Sequence, residues 1–455
     1  MITKNIFLVL LLLLKFTFNQ NGIITFSFKK ESPNLNNVDQ NDIIPKKLIN
    51  NLIMVELRVG TNPQLLKLKL EFDTCVFYIA SESSSNEIKF KEKQSTTYRQ
   101  MDKNIIPIDK SNLNKAILSS DYIYLNKDSN NKYNITFLLG IDTDKDISGG
   151  LIGLNLDEEK VNKYNFLNEL KRLGLINDYH FTIKYIDNNS GNLIIGNLPH
   201  IYDSNRFKKN NYKEIYADFT KDDLTWKIKF NEIYIGDKKE SNEIKIEDYA
   251  YCYLRLEKAI IEGSEKYRQY LLNTFMKEQI NNNLCFEVDS EYHYSYYCKK
   301  EADISKLKNI YFYNKKLEFT FELTYKDLFY YNDNDKSYYF LIIFSNDLEE
   351  DDEYNKYWVL GEPIFKKYQF VFNKDSKTIG IYTSINNIND GDSWWAKNKW
   401  YFILIMLLII LLIGLGAVIF YFLKFIPRKR KIKANELDDD FDYNSNTNKL
   451  TNENE

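Results

Sequence analysis

The stretch LKLKLEFDTCVFYIA, Leu66 to Ala80, alternates Leu66, Leu68, Leu70 and Phe72 with Lys67, Lys69 and Glu71. That period of two describes a half-buried strand, and its end delivers Asp73 and Thr74. A carboxylate lifted out of a strand end is placed for proton transfer. A tight catalytic loop would continue with glycine and serine, but here it continues with Cys75 and Val76. The other chemistry-bearing types are sparse. His180, His200 and His293 lie far apart without ligand spacing, so no metal site is expected, and no glycine-rich loop cradles a phosphate. No cofactor is expected either. The formal net charge of −3 supplies no basic field for nucleic acid.

The two ends of the chain place these residues in a compartment. Residues 1–20 put Lys4 before an apolar run from Ile6 to Leu14, the pattern of a signal peptide. An uncleaved anchor is the alternative. Residues 400–423 form an uncharged run long enough to cross ~30 Å of hydrocarbon as one C-terminal transmembrane helix. Trp400, Tyr401 and Tyr421 sit at its edges, and Lys424, Arg428, Lys429, Arg430, Lys431 and Lys433 follow on the cytosolic side. The expectation is a single-pass type I membrane protein of the secretory pathway or cell surface, the bulk of the chain lumenal or extracellular, with an acidic cytoplasmic tail over 424–455. In that compartment four cysteines suggest disulfides. Cys285 and Cys298 flank a tyrosine-rich loop and form the expected pair, which leaves Cys75 with Cys252. Asn134 and Asn188 begin glycosylation sequons.

The chain of 455 residues is long enough for two ordinary cores. Residues 21–50 are polar and read as a leader or a short pro-like segment. Short strands then follow, including LIMVELRVG, HFTIKYI, GNLIIGNL, WKIKFNEIYIG, LEFTFELTY, SYYFLIIF and YQFVF, so the fold class is mainly β. Two amphipathic helices interrupt them. One carries Phe166, Leu167, Leu170 and Leu173 and stops at Gly174. The other starts at a candidate N-cap, Ser264, and carries Tyr267, Leu271 and Phe275. The boundaries are an N-terminal β lobe over 51–198, a C-terminal β lobe over 199–385 and a polar stalk over 386–399.

The order of these elements resembles the pepsin-like aspartic peptidases across roughly residues 52–384. VGTNPQ, Val59 to Gln64, is similar to that family's entry hairpin, and FDTC lies where its first Asp-Thr-Gly loop falls. KEKQSTTYRQ follows as a similar segment does there. GGLIGLN, Gly149 to Asn155, resembles the element that crosses behind the first loop. HFTIKYIDNNSGNLIIGNLP resembles the strand pair closing the first lobe. Tyr357 to Tyr382 resembles the crossing strand behind the second loop, with Val359-Leu360-Gly361, and then the closing hairpin. The resemblance implies two β-rich lobes with a cleft between them that takes a polypeptide substrate or a protein partner.

It also implies two facing aspartates that share one proton, because like charges a few Å apart cannot both ionise. Asp73 and Thr74 match the first loop. The second should lie within IEDYAYCYLRLEKAIIEGS, where counting back from Gly263 falls on Arg255 and counting forward from Ala250 falls on Tyr253; neither is aspartate. Asp248 is the nearest carboxylate. The usual flap tyrosine position falls on Ile108. The expectation is therefore a membrane-bound pepsin-like domain that no longer cleaves and that binds a polypeptide or holds a complex. Arg255 opposite Asp73 would keep that carboxylate ionised, and a Cys75–Cys252 disulfide would staple the two loops. The alternative is an active membrane-bound aspartic endopeptidase using Asp73 and Asp248.

Overall fold

The computed structural model describes residues 22–31, 51–110, 113–125, 131–144, 148–156, 164–220, 224–236, 244–290, 293–345, 357–384, 414–415 and 420. The expected signal peptide, stalk and cytoplasmic tail, and all but three residues of the expected membrane span, lie outside the described residues. Among the described residues no helix is long and apolar enough to cross a membrane.

The described residues between 22 and 384 form one compact unit containing two large sheets. The first has 13 strands, in the order 212–216, 378–382, 370–373, 180–185, 190–195, 24–31, 52–59, 64–71, 150–153, 77–80, 132–143, 113–124 and 99–110. The second has 11, running from 319–323 through 309–314, 227–236, 244–254, 357–360, 261–263, 342–345, 293–299 and 337–340 to 329–332, with 285–289 beside 293–299. The alternation read in the sequence is the cause. Leu66, Leu68 and Leu70 are fully buried, and so are Ile228, Phe230, Ala250, Cys252 and Leu254 on the second sheet.

One four-strand unit occurs in both sheets. In the first, Gly150–Gly153 lies parallel to Gln64–Glu71 and antiparallel to Phe77–Ala80, which in turn runs parallel to Lys132–Thr143. In the second, Tyr357–Leu360 lies parallel to Ile244–Leu254 and antiparallel to Ile261–Gly263, which runs parallel to Ile342–Ser345. Each unit therefore sends a loop out of its first strand, at 72–76 and at 255–260, with a crossing strand behind it.

Aromatic packing joins the two sheets beside those loops. Phe72 meets Phe181, Phe365 and Phe372 with ring centroids 5.0–5.9 Å apart, and Trp226 meets Phe181 and Phe372 at 6.0 and 5.0 Å. Full burial of a phenylalanine contributes about 1.5–3 kcal/mol, so Phe72 anchors the residue that precedes Asp73.

Three expectations change. Ile24–Glu31, read as part of a polar leader, is a strand paired with Ser190–Ile195 on one side and Leu52–Val59 on the other. Its alternate residues Phe26 and Phe28 are buried in the core, a pattern that the lysines around them obscured. The lobe boundary at residue 198 is crossed as well, because 212–216 and the closing hairpin 370–382 belong to the first sheet. Finally, the second predicted helix is two, Glu265–Asn273 and Phe275–Asn281, broken at Thr274, and Ser264 occupies the N-cap position without a side-chain cap.

Candidate functional site

The first loop is held in place by backbone and amide contacts. Asn155 donates from its backbone N–H to Thr74 O at 3.0 Å, and its Nδ2 approaches Asp73 O at 3.4 Å. Asn165 Nδ2 donates to Cys75 O at 2.7 Å, and Thr74 Oγ1 accepts from the Val76 N–H at 3.2 Å. Gly153 passes so close behind that a Cβ on it would stand 2.4 Å from Thr74 O. No other residue fits such a crossing.

The second loop is built the same way. The Arg255 N–H donates to Leu360 O at 3.0 Å, and the Glu362 N–H donates to Lys258 O at 2.8 Å. A Cβ on Gly361 would stand 2.1 Å from Ile260 O. The crossing glycines thus locate the two loops independently of any aspartate. Between them, Arg255 Nη1 makes an ion pair with Asp73 Oδ1. Of the two positions counted in the sequence, Arg255 is the one at the junction. Tyr253 lies within the strand, opposite Lys227 and beside Val359.

A third charge stands behind the pair, and the sequence reading did not find it. Glu257 Oε1 lies 3.4 Å from Arg255 Nη1, and its Oε2 accepts from the Phe72 N–H at 3.2 Å. The residue is buried, and burial pushes its carboxyl above the ordinary glutamate value; Arg255 opposes that shift and Glu71 adds to it. Asp73 is half exposed and Arg255 about one-fifth exposed, so the group opens to solvent on the aspartate side. Glu257 O accepts from the Asn51 N–H at 2.7 Å, while the Asn51 side chain donates to Glu362, which also pairs with Lys30 at 2.6 Å and with Lys366. The N-terminal strand is thereby tied to the back of the site. Glu257 has no periodic or motif signal in RLEKA; only the fold shows that it lies against the first loop.

Asp248 lies elsewhere. It is exposed on the Ile244–Leu254 strand, paired with Lys245 and seven residues before Arg255, at most about 23 Å along the chain. It does not meet Asp73. The proposed Cys75–Cys252 staple is also absent, since both residues are buried thiols. The physical reason is strand alternation: Cys252 shares the inward face of Ala250 and Leu254, the face opposite to that of Arg255. Cys285 and Cys298 are a directly opposed strand pair and form a disulfide.

The hairpin over the first loop pairs Arg99–Lys110 with Leu113–Tyr124. Ile106 and Ile108 pack on a cluster containing Val76, Tyr78, Leu138 and Tyr164, so this lid rests on apolar contact. Asn134 is exposed on the Lys132–Thr143 strand, and Asn188 is exposed in the turn before Ser190. Among the described residues no cluster of His, Cys, Asp or Glu is placed to hold a metal ion.

In a comparison with known families, the model described as eukaryotic aspartyl protease matches residues 53–383, which spans both loops and both crossing strands. No curated protein matches the chain.

Proposed function

The chain belongs to the eukaryotic aspartyl protease family, and we propose that its cleft binds a polypeptide or holds a complex without cleaving it. The observation that carries this reading is the Asp73–Arg255 ion pair. Hydrolysis by two facing carboxylates needs one to accept a proton from water while the other, still protonated, polarises the carbonyl. A guanidinium is always charged and only donates, so it can polarise a carbonyl but cannot accept, share or hand on a proton, and the proton exchange of two facing carboxylates is lost. It also stands where the second carboxylate would have to face Asp73, in the space between the loops that an attacking water would need. Each acid–base role typically contributes about 10²–10⁴ in rate.

The membrane-tethered setting belongs to the same proposal and rests on the sequence at 1–20 and 400–433. The test is peptide cleavage by the purified full-length protein in detergent, from acidic to neutral pH, beside an Asp73→Ala variant and a pepstatin-type inhibitor. The expected result is no cleavage above the Asp73→Ala background. Cleavage abolished by both the substitution and the inhibitor overturns the reading.

A further inference from the structure

The closing hairpin 370–382 comes from the far end of the described chain, and its hold on the first sheet ends at a histidine. Strand Phe370–Asn373 pairs Val371 with Thr182, Phe372 with Phe181 and Asn373 with His180. At that last pair Asn373 Nδ2 lies 3.0 Å from His180 Nε2. The turn that follows fixes the orientation of the amide, because Asn373 Oδ1 accepts from the Asp375 N–H at 3.0 Å and from the Ser376 N–H at 3.2 Å. Turning the amide over would set its NH2 against both donors. Nδ2 is therefore the donor to His180 and Nε2 the acceptor, which leaves a neutral ring with its proton on Nδ1. Nδ1 is itself buried and meets no acceptor among the described residues.

A proton on Nε2 has no place in this arrangement. It would point at the Asn373 NH2, and the ring would become a partly buried cation with neither N–H accepted. We propose that His180 is an acid-sensitive latch, and that its protonation releases the turn end of the closing hairpin from the first sheet. Burial holds His180 below the ordinary histidine value. It outweighs the carboxylates of Asp178, just before the strand, and of Glu214 on 212–216, while His200 on Pro199–Tyr202 adds to it. On the hairpin itself, Lys374 and Asp375 follow Asn373 with opposite charges. A histidine lowered in this way stabilises the fold above the unfolded value, about 6.5, and that contribution is lost as pH falls below it. His200 behaves differently. Its Nδ1 lies 2.8 Å from Tyr382 OH on the same hairpin, and a hydroxyl accepts as well as donates, so that contact survives protonation. The latch adjoins the anchor of the first loop: Phe181 and Phe372, next to His180 and Asn373, stack at 5.1 Å, and both meet Phe72. The inference does not depend on whether the cleft cleaves.

The test is hydrogen exchange of the full-length protein in detergent, read by mass spectrometry on peptides covering 370–382 and corrected for the intrinsic rate at each pH. Wild type is expected to lose protection there as pH falls below about 6.5, by at most about tenfold per pH unit, the limit for one proton. His180→Gln keeps an acceptor for Asn373 Nδ2 without a titrating group, and its protection is expected to stay level. Asn373→Asp keeps an acceptor for the two turn N–H groups and offers the protonated ring a carboxylate, so its protection is expected to rise in acid. His200→Gln is expected to follow wild type. Near-UV circular dichroism verifies that each variant is folded. The proposal is overturned if wild-type protection stays level, or if wild type and His180→Gln lose it in parallel. It is equally overturned if Asn373→Asp loses protection in acid as wild type does, or if His200→Gln abolishes the pH dependence.

Discussion

Replacing Arg255 with methionine keeps most of the side-chain volume and removes the charge shared by Asp73 and Glu257. The two contacts differ in weight. Asp73 is half exposed, and an ion pair in that setting contributes at most about 1 kcal/mol. Glu257 is buried and 3.4 Å from the guanidinium; Coulomb's law at an effective dielectric of ~20 gives about 5 kcal/mol. Partial exposure of Arg255 and the desolvation of both ions reduce that, so the expected loss at pH 7.5 is about 2–3 kcal/mol. The loss should depend on pH. Without Arg255, the Glu257 carboxyl rises further, so the variant can recover by keeping a proton there. Near pH 4 both proteins hold that proton, and the difference should shrink to the Asp73 contribution, about 1 kcal/mol or less. Urea unfolding followed by tryptophan fluorescence measures this, since Trp226 is fully buried where the sheets meet. Equal losses at pH 7.5 and pH 4, or a loss below about 0.5 kcal/mol at pH 7.5, would refute the electrostatic role assigned to Glu257.

Glu257→Gln isolates the same carboxyl. A raised folded-state value means that the carboxyl contributes stability below the unfolded glutamate value, about 4.3, and loses it as pH rises through the folded value. The variant should therefore match wild type in acid and flatten the decline in melting temperature towards neutral pH. Gly361→Ala forces a Cβ to within 2.1 Å of Ile260 O and should cost about 3 kcal/mol or more, or prevent folding; an unchanged denaturation midpoint would mean that the crossing strand can shift. Replacing Cys285 and Cys298 together by serine opens a loop with a sequence separation of 13 and should cost about 3 kcal/mol in the same unfolding assay, with no change at the Asp73 loop.

Much of this molecule was legible in the chain because it rests on local rules. Alternating apolar residues specify strands, and Leu66 to Phe72 aims Asp73 out of one without reference to anything distant. Gly153 and Gly361 were legible through the resemblance to the family's crossing elements, and the structure supplies the reason: a strand crossing that closely behind a loop leaves no room for a Cβ. The disulfide between Cys285 and Cys298 was legible because the two residues flank one short hairpin.

The remainder was decided by which strands meet. Sequence counting left Tyr253 and Arg255 as alternatives, and the hydrogen bond from the Arg255 N–H to Leu360 O, together with the inward face of Cys252, placed the guanidinium against Asp73 and the thiol away from Cys75. Glu257 and Asn51 gained their positions only when residues far apart in the chain came together at the junction of the sheets, and the lysine-rich Ile24–Glu31 segment became a core strand because both its edges found partners. Side-chain alternation is a property of the nearest few residues and survives in the sequence. Which buried charge faces which is set by long-range strand pairing, and that pairing exists only in the folded chain.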